Sequence, residues 1–169
     1  RNGGTSFDFT YYYGVVPKDA MEKLAWVTSD MLGFVLNTVD EQTLEGEKQV
    51  VKNEKRQRVD NQPYGHSRGI ILKALYPKGH PYSWSVIGDL EDLQAATIDD
   101  VKEFYNEFYG PSNTTLVIAG DIDFTETKKM AERWFGEIKP SMNVTDDPKP
   151  QLVTLENSKK LYHLDKFAK

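Results

Sequence analysis

The chain has 169 residues, 38% of them hydrophobic and 12% aromatic, and a formal net charge of −5. That composition excludes a disordered segment and supplies one sizeable folded core, while an acidic balance with no local basic cluster argues against a nucleic-acid binder. No apolar run approaches the roughly 20 residues of a membrane-spanning helix, and the lack of cysteine excludes disulfides and thiolate metal sites.

In chain order, Thr5 to Val16 (TSFDFTYYYGVV) is dense in aromatic and β-branched residues and predicts a strand, which Pro17 ends. Met21, Leu24, Ala25, Thr28, Leu32 and Val35 then recur at helical spacing. Asp40 is a suitable N-cap for a second helix over Glu41 to Asp60. A third apolar stripe, Ile70, Ile71, Ala74 and Leu75, is stopped by Pro77 and Gly79, and KGHPYSWSVIGD then reads as a loop with exposed-type aromatics. Thr97 opens a helix with a capping box that uses Asp100 in place of glutamate, and Val101, Phe104, Tyr105 and Phe108 form its apolar side. Thr114 to Ala119 (TTLVIA) predicts a short buried strand, and Phe124 to Phe135 a helix. Pro140 to Pro150 is a polar, proline-rich linker, and Leu161 to Leu164 is expected to start a strand of a further unit. The start at Arg1 suggests a processed or excised piece. Two lone strands leave sheet edges unpaired, so further strands are expected outside Arg1 to Lys169.

Glu47 and Glu54 stand seven residues apart in TLEGEKQVVKNEKRQ. That spacing is about 700° of helix rotation, so both carboxylates share a face, with Val51 between them and Leu44 extending it. Acids beside apolar residues need a positive partner. A metal ion is one, an arginine is the other, and Arg58 lies one turn beyond Glu54. His66, His80 and His163 are too scattered for a short ligand motif, which favours surface or turn roles. The chain contains no H-E-x-x-H, no G-x-S-x-G and no phosphate-binding glycine loop. Asn113-Thr114-Thr115 and Asn143-Val144-Thr145 match glycosylation tripeptides of little weight.

Several segments, in order, resemble the pitrilysin/insulinase zinc metallopeptidases, the inverzincins. NGGTSFDFTYYY is similar to the family's Asn-Ala-x-Thr-Ser strand, and EGEKQVVKNEKRQ resembles the helix that follows the inverted zinc motif. HPY followed by Gly88-Asp89, and FYNEFYGPSNTTLVIAGDI, resemble later landmarks of the family. The resemblance implies an α/β (α+β) half-domain, an antiparallel sheet with packed helices, incomplete at its N-terminus. Residues 1–139 would be the C-terminal part of a zinc-peptidase-like domain, and residues 140–169 a linker and the start of the next.

In that family an H-x-x-E-H helix supplies two zinc ligands and the general base, and a glutamate roughly 75 residues on supplies the third ligand. Glu54 falls at that third position, and Glu47 matches an acid that supports the site. H-x-x-E-H would then lie about 22 to 26 residues before Arg1, so these residues alone are expected to be inactive and to bind zinc poorly. Asn2, Gly3, Gly4 and Thr5 would form an edge strand to which a peptide substrate adds by β-pairing. Here the chain has Asn-Gly where many relatives have Asn-Ala. The implied function is zinc-dependent endopeptidase, with a second homologous domain or subunit as partner. The alternative is a non-catalytic peptide-binding or scaffolding subunit of the same family. The sequence variant around KNEKRQ and NQPYG, with zero cysteine, suggests a periplasmic or secreted location.

Overall fold

The computed structural model describes residues 1–140, 152–155 and 157–168. The fold is α+β: among the described residues, helices accompany one small two-stranded sheet. The chain forms two compact units. The first contains Arg1–Gly3, Tyr12–Glu41 and Thr97–Asp147, and the second Gly4–Tyr11, Gln42–Ala96 and Pro148–Lys169.

The expected strand over Thr5 to Val16 is instead a hairpin, β1 (Asn2–Thr5) and β2 (Thr10–Tyr13). The intervening Ser6 N–H donates to the Phe9 carbonyl at 2.8 Å and closes a turn. Phe7 and Asp8 leave the pleat because Tyr82 holds both: the rings of Phe7 and Tyr82 lie 4.9 Å apart, and the Tyr82 hydroxyl donates to Asp8. Aromatic density marks β-propensity but does not show where the chain reverses.

In the first unit, α1 (Met21–Gly33) follows Pro17 and a single 3-10 turn, and it packs on α6 (Phe124–Phe135). Asp123 caps α6 by accepting from the Glu126 N–H at 2.9 Å, and Thr127 and Met130 are buried on that helix, as Ala25 and Ser29 are on α1. Between them, α5 (Ile98–Phe108) begins at Thr97 with the predicted capping box: Thr97 Oγ1 accepts from Asp100 N at 3.2 Å, and Asp100 accepts from Thr97 N at 2.7 Å. Replacing Thr97 by alanine should cost about 0.5–2 kcal/mol, read as a lowered denaturation midpoint. The apolar side of α5 is less buried than its pattern suggests, since Phe104 is exposed.

Three tyrosines of this unit form a chain. Tyr12 and Tyr109 share a hydrogen bond at 2.6 Å, Tyr105 stacks on Tyr109 at 4.9 Å, and the Tyr105 hydroxyl donates to the Met31 carbonyl at 2.8 Å. Burial, aided by Tyr12 and Asp30, pushes the Tyr105 phenol up to about 12. Burial and the bond to Tyr12 raise Tyr109 too. Both shifts favour the neutral form in the folded chain. The stability they contribute is complete below the ordinary phenol value near 10. It is lost as pH rises from there through the folded values. Tyrosinate absorbance should show two groups ionising above the ordinary phenol range, and Tyr105→Phe should weaken the alkaline loss of stability.

Thr114 to Ala119 was expected to be a buried strand. It makes no ladder among the described residues, and Leu116 and Val117 are exposed. An extended segment becomes a strand only with a partner. Instead Leu116 and Val117 line an apolar cleft of about 410 Å³ with Tyr13, Val15, Leu24 and Met130.

In the second unit, α2 (Glu41–Lys55) is shorter than the expected helix to Asp60, because Arg56–Asp60 continues as a π-helical turn. Its Lys48 is buried and donates to the Gln94 carbonyl at 3.1 Å, which ties it to α4 (Leu90–Ala95), an element the sequence reading lacks. α3 (Ser67–Leu75) carries the third apolar stripe. His80 lies in a turn, as expected, but is not a surface residue. It is 8% exposed, stacks on Tyr76 at 4.7 Å, and its Nδ1 accepts from Tyr82 N at 3.1 Å. Leu161 to Leu164 forms no strand. Most of the proline-rich linker lies outside the described residues. Among the described residues, no helix is long and apolar enough to cross a membrane.

Candidate functional site

Glu54 stands on the last turn of α2, two residues before the helix widens into the π turn of Arg56–Asp60. Such turns are rare and frequent at functional sites, because the extra residue re-aims the side chains around it. Nothing in the helical periodicity of this segment signalled it. The Glu54 carboxylate is half-buried and pairs with Arg58 at 2.7 Å. Of the two positive partners that spacing allowed, arginine is the one present.

Glu47 lies two turns earlier on the same helix, is exposed, and has no ion-pair partner among the described residues. The flanking Leu44 and Val51 are half-buried. Among the described residues no three histidine, aspartate or glutamate side chains converge as a metal cluster.

His66, in the turn before α3, places Nε2 at 3.7 Å from Asp60, and its ring lies 5.8 Å from that of His163. The tail reaches this turn through Asp165, which accepts from the Tyr64 N–H at 2.7 Å. Hydrogen bonds from the Phe167 and Tyr64 amides hold the Asp165 carboxyl below the usual carboxylate range. Neither histidine adjoins Glu54 in sequence, and no partnership with it is present.

Asn2, Gly3, Gly4 and Thr5 do form a strand, β1, which among the described residues belongs to a sheet of two strands. One edge pairs with β2. Asn2 Oδ1 accepts from the Gly3 N–H at 2.8 Å. The room left by the missing side chain of Gly4 is taken from within the hairpin: a Cβ there would lie 2.7 Å from the Tyr11 hydroxyl. Glycine at this position serves the fold itself.

These elements and their order are shared with known proteins. Residues 95–166 match the family described as the Peptidase M16 inactive domain. The zinc protease PqqE of Helicobacter pylori is 31% identical over 82% of this chain and 30% of its own length. A crystal structure of a protease from Helicobacter pylori superposes with a TM-score of 0.77 at 28% identity, covering 89% of this chain and 35% of that one. The chain belongs to the M16 peptidase family. Further M16 relatives are the uncharacterised zinc protease YmxG of Bacillus subtilis, 28% identical over 94% of this chain and 38% of its own, and a probable mitochondrial-processing peptidase subunit beta of Schizosaccharomyces pombe, 27% identical over 83% and 30%. The chain thus spans about a third of the length of the relatives it matches. M16 membership agrees with the resemblance read from the sequence and with the α+β architecture.

Proposed function

We propose that this chain is part of a zinc-dependent endopeptidase that hydrolyses peptides or small proteins. The observation that carries the reading is the place of Glu54: the last turn of a helix, at a π turn, in a chain whose M16 relatives are named zinc proteases. In this reading Glu54 supplies one ligand to a zinc ion whose other ligands come from outside these residues, and Glu47 supports it. Zinc would polarise the scissile carbonyl and activate water when bound. The chain's own part is to hold the Glu54 carboxylate on a rigid helix end, with Arg58 as its partner when no metal competes. The open edge of β1, Asn2 to Thr5, would receive the substrate backbone by β-pairing, giving affinity with loose side-chain selectivity. Residues 1–139 then complete one domain, and residues 140–169 lead into another.

A second reading follows from the matched family description, which calls the domain inactive, and from relatives that are named as subunits. The chain would then belong to a non-catalytic partner that binds peptide beside a homologous active subunit. Hydrolysis of a peptide mixture by the full-length polypeptide separates the two. The peptidase reading expects cleavage that a chelator abolishes and zinc restores. Peptide binding without cleavage favours the partner reading. These 169 residues alone should hydrolyse nothing, and calorimetric titration should find no submicromolar zinc site, because one ligand does not hold zinc against water. A tight one-to-one site would overturn that expectation.

A further inference from the structure

The second unit contains a cavity of about 430 Å³ that the peptidase reading does not use. Lys55 at the end of α2, Arg58 in the π turn that follows it, Arg68 and Lys73 on α3, and a single carboxylate, Asp89, line it. Arg58 is neutralised by Glu54 at 2.7 Å. Asp89 sits between Lys55 at 3.6 Å and Lys73 at 3.8 Å, both longer than the roughly 2.7–2.9 Å of a tight charge-assisted bond. Arg68 lies over the Phe7 ring at 5.5 Å and meets no carboxylate at ion-pair distance among the described residues. Three cations therefore face one carboxylate, which leaves two surplus positive charges. The Lys55 side chain is only 13% exposed and its ammonium already donates to the Gly88 carbonyl beside Asp89, so the surplus charge available to a ligand rests mainly on Arg68 and Lys73. A chain of net charge −5 does not gather such a patch through bulk composition.

We propose that this cavity binds a small, multiply charged oxyanion of the phosphate or pyrophosphate class. Two surplus positive charges suit an anion carrying two or more negative charges. The guanidinium of Arg68 offers two parallel donors to adjacent oxygens, and the lysines act as point charges. The volume falls in the range of small-ligand sites and exceeds a single phosphate ion, so pyrophosphate is the better probe. The cavity shares Arg58 with the zinc reading, as the partner of Glu54, but Arg68 and Lys73 pair with neither Glu47 nor Glu54, so their substitution tests the anion site separately.

The test is calorimetric titration of pyrophosphate into the metal-free full-length polypeptide, at low and at physiological ionic strength. Arg68→Gln and Lys73→Gln are titrated in parallel. Lys73 is 64% exposed, so its replacement should leave the unfolding midpoint unchanged, and it remains informative if Arg68→Gln misfolds. The expected result is one saturable site, weakened at least tenfold by each substitution and weakened by salt. Sedimentation with phosphatidic-acid vesicles distinguishes a free ligand from a lipid headgroup, and the chain should stay in the supernatant. Absence of saturable binding, binding that the variants retain unchanged, or capture by vesicles without pyrophosphate binding would each overturn the proposal.

Discussion

Replacing Gly65 by alanine should destabilise the second unit by about 1–3 kcal/mol, the usual range for overpacking. A Cβ at this position would lie 2.0 Å from the Val59 carbonyl oxygen and 2.8 Å from the Val59 carbonyl carbon. Both are backbone atoms, so no side-chain rotation relieves the overlap. The surrounding turn has little slack. Gln62 N donates to the Val59 carbonyl at 3.3 Å, Gly65 N donates to the Gln62 carbonyl at 3.0 Å, and Tyr64 already sits in the left-handed region at φ 62°. Trp84 is the one tryptophan of the second unit, so its fluorescence during chemical denaturation reports the effect. Gly46→Ala is the matched control. It lies inside α2, and a Cβ there meets nothing within 4 Å, so it should stabilise by about 0.5–1 kcal/mol. An unchanged midpoint for Gly65→Ala would contradict the close approach of Gly65 to Val59.

Glu54→Gln in the full-length polypeptide should lower kcat/KM for peptide hydrolysis by more than about 100-fold. Outer partners of a metal site typically cost about 10–100-fold when removed, and a direct ligand costs more. Glu47→Gln should fall within that smaller range. Neither change should alter folding much, because an i, i+4 helix pair such as Glu54–Arg58, with Arg58 exposed, is worth at most about 0.3–0.5 kcal/mol. The ratio between the two variants is the informative quantity. Were Glu54 only the partner of Arg58, both substitutions would leave the hydrolysis rate near the parent value.

The helices were legible because each carries a local signal. The apolar period placed α1 and α3, the capping box fixed the start of α5, and α6 begins and ends where its pattern does. What was missed depends on partners distant in sequence. Ser6 to Phe9 reads as strand by composition and turns because Tyr82 captures Phe7 and Asp8. Thr114 to Ala119 reads as strand by composition and lacks a ladder among the described residues. His80 has no local pattern that announces burial between Tyr76 and Tyr82. Glu54 and Glu47 were legible as a helical pair, and the pairing of Glu54 with Arg58 was one of the two partners the spacing allowed. The π turn after Lys55 was not legible, because the sequence there continues a helical pattern. The basic cavity was invisible for a similar reason. Lys55, Arg58, Arg68 and Lys73 are spread along the chain, and only the fold gathers them.

Zinc titration of the metal-free full-length polypeptide beside its Glu54→Gln variant tests whether Glu54 is the zinc ligand proposed above. One tight zinc per chain is expected in the parent, and loss of that tight site in the variant. Equal affinity in the two would contradict it and leave Glu54 as the ion-pair partner of Arg58.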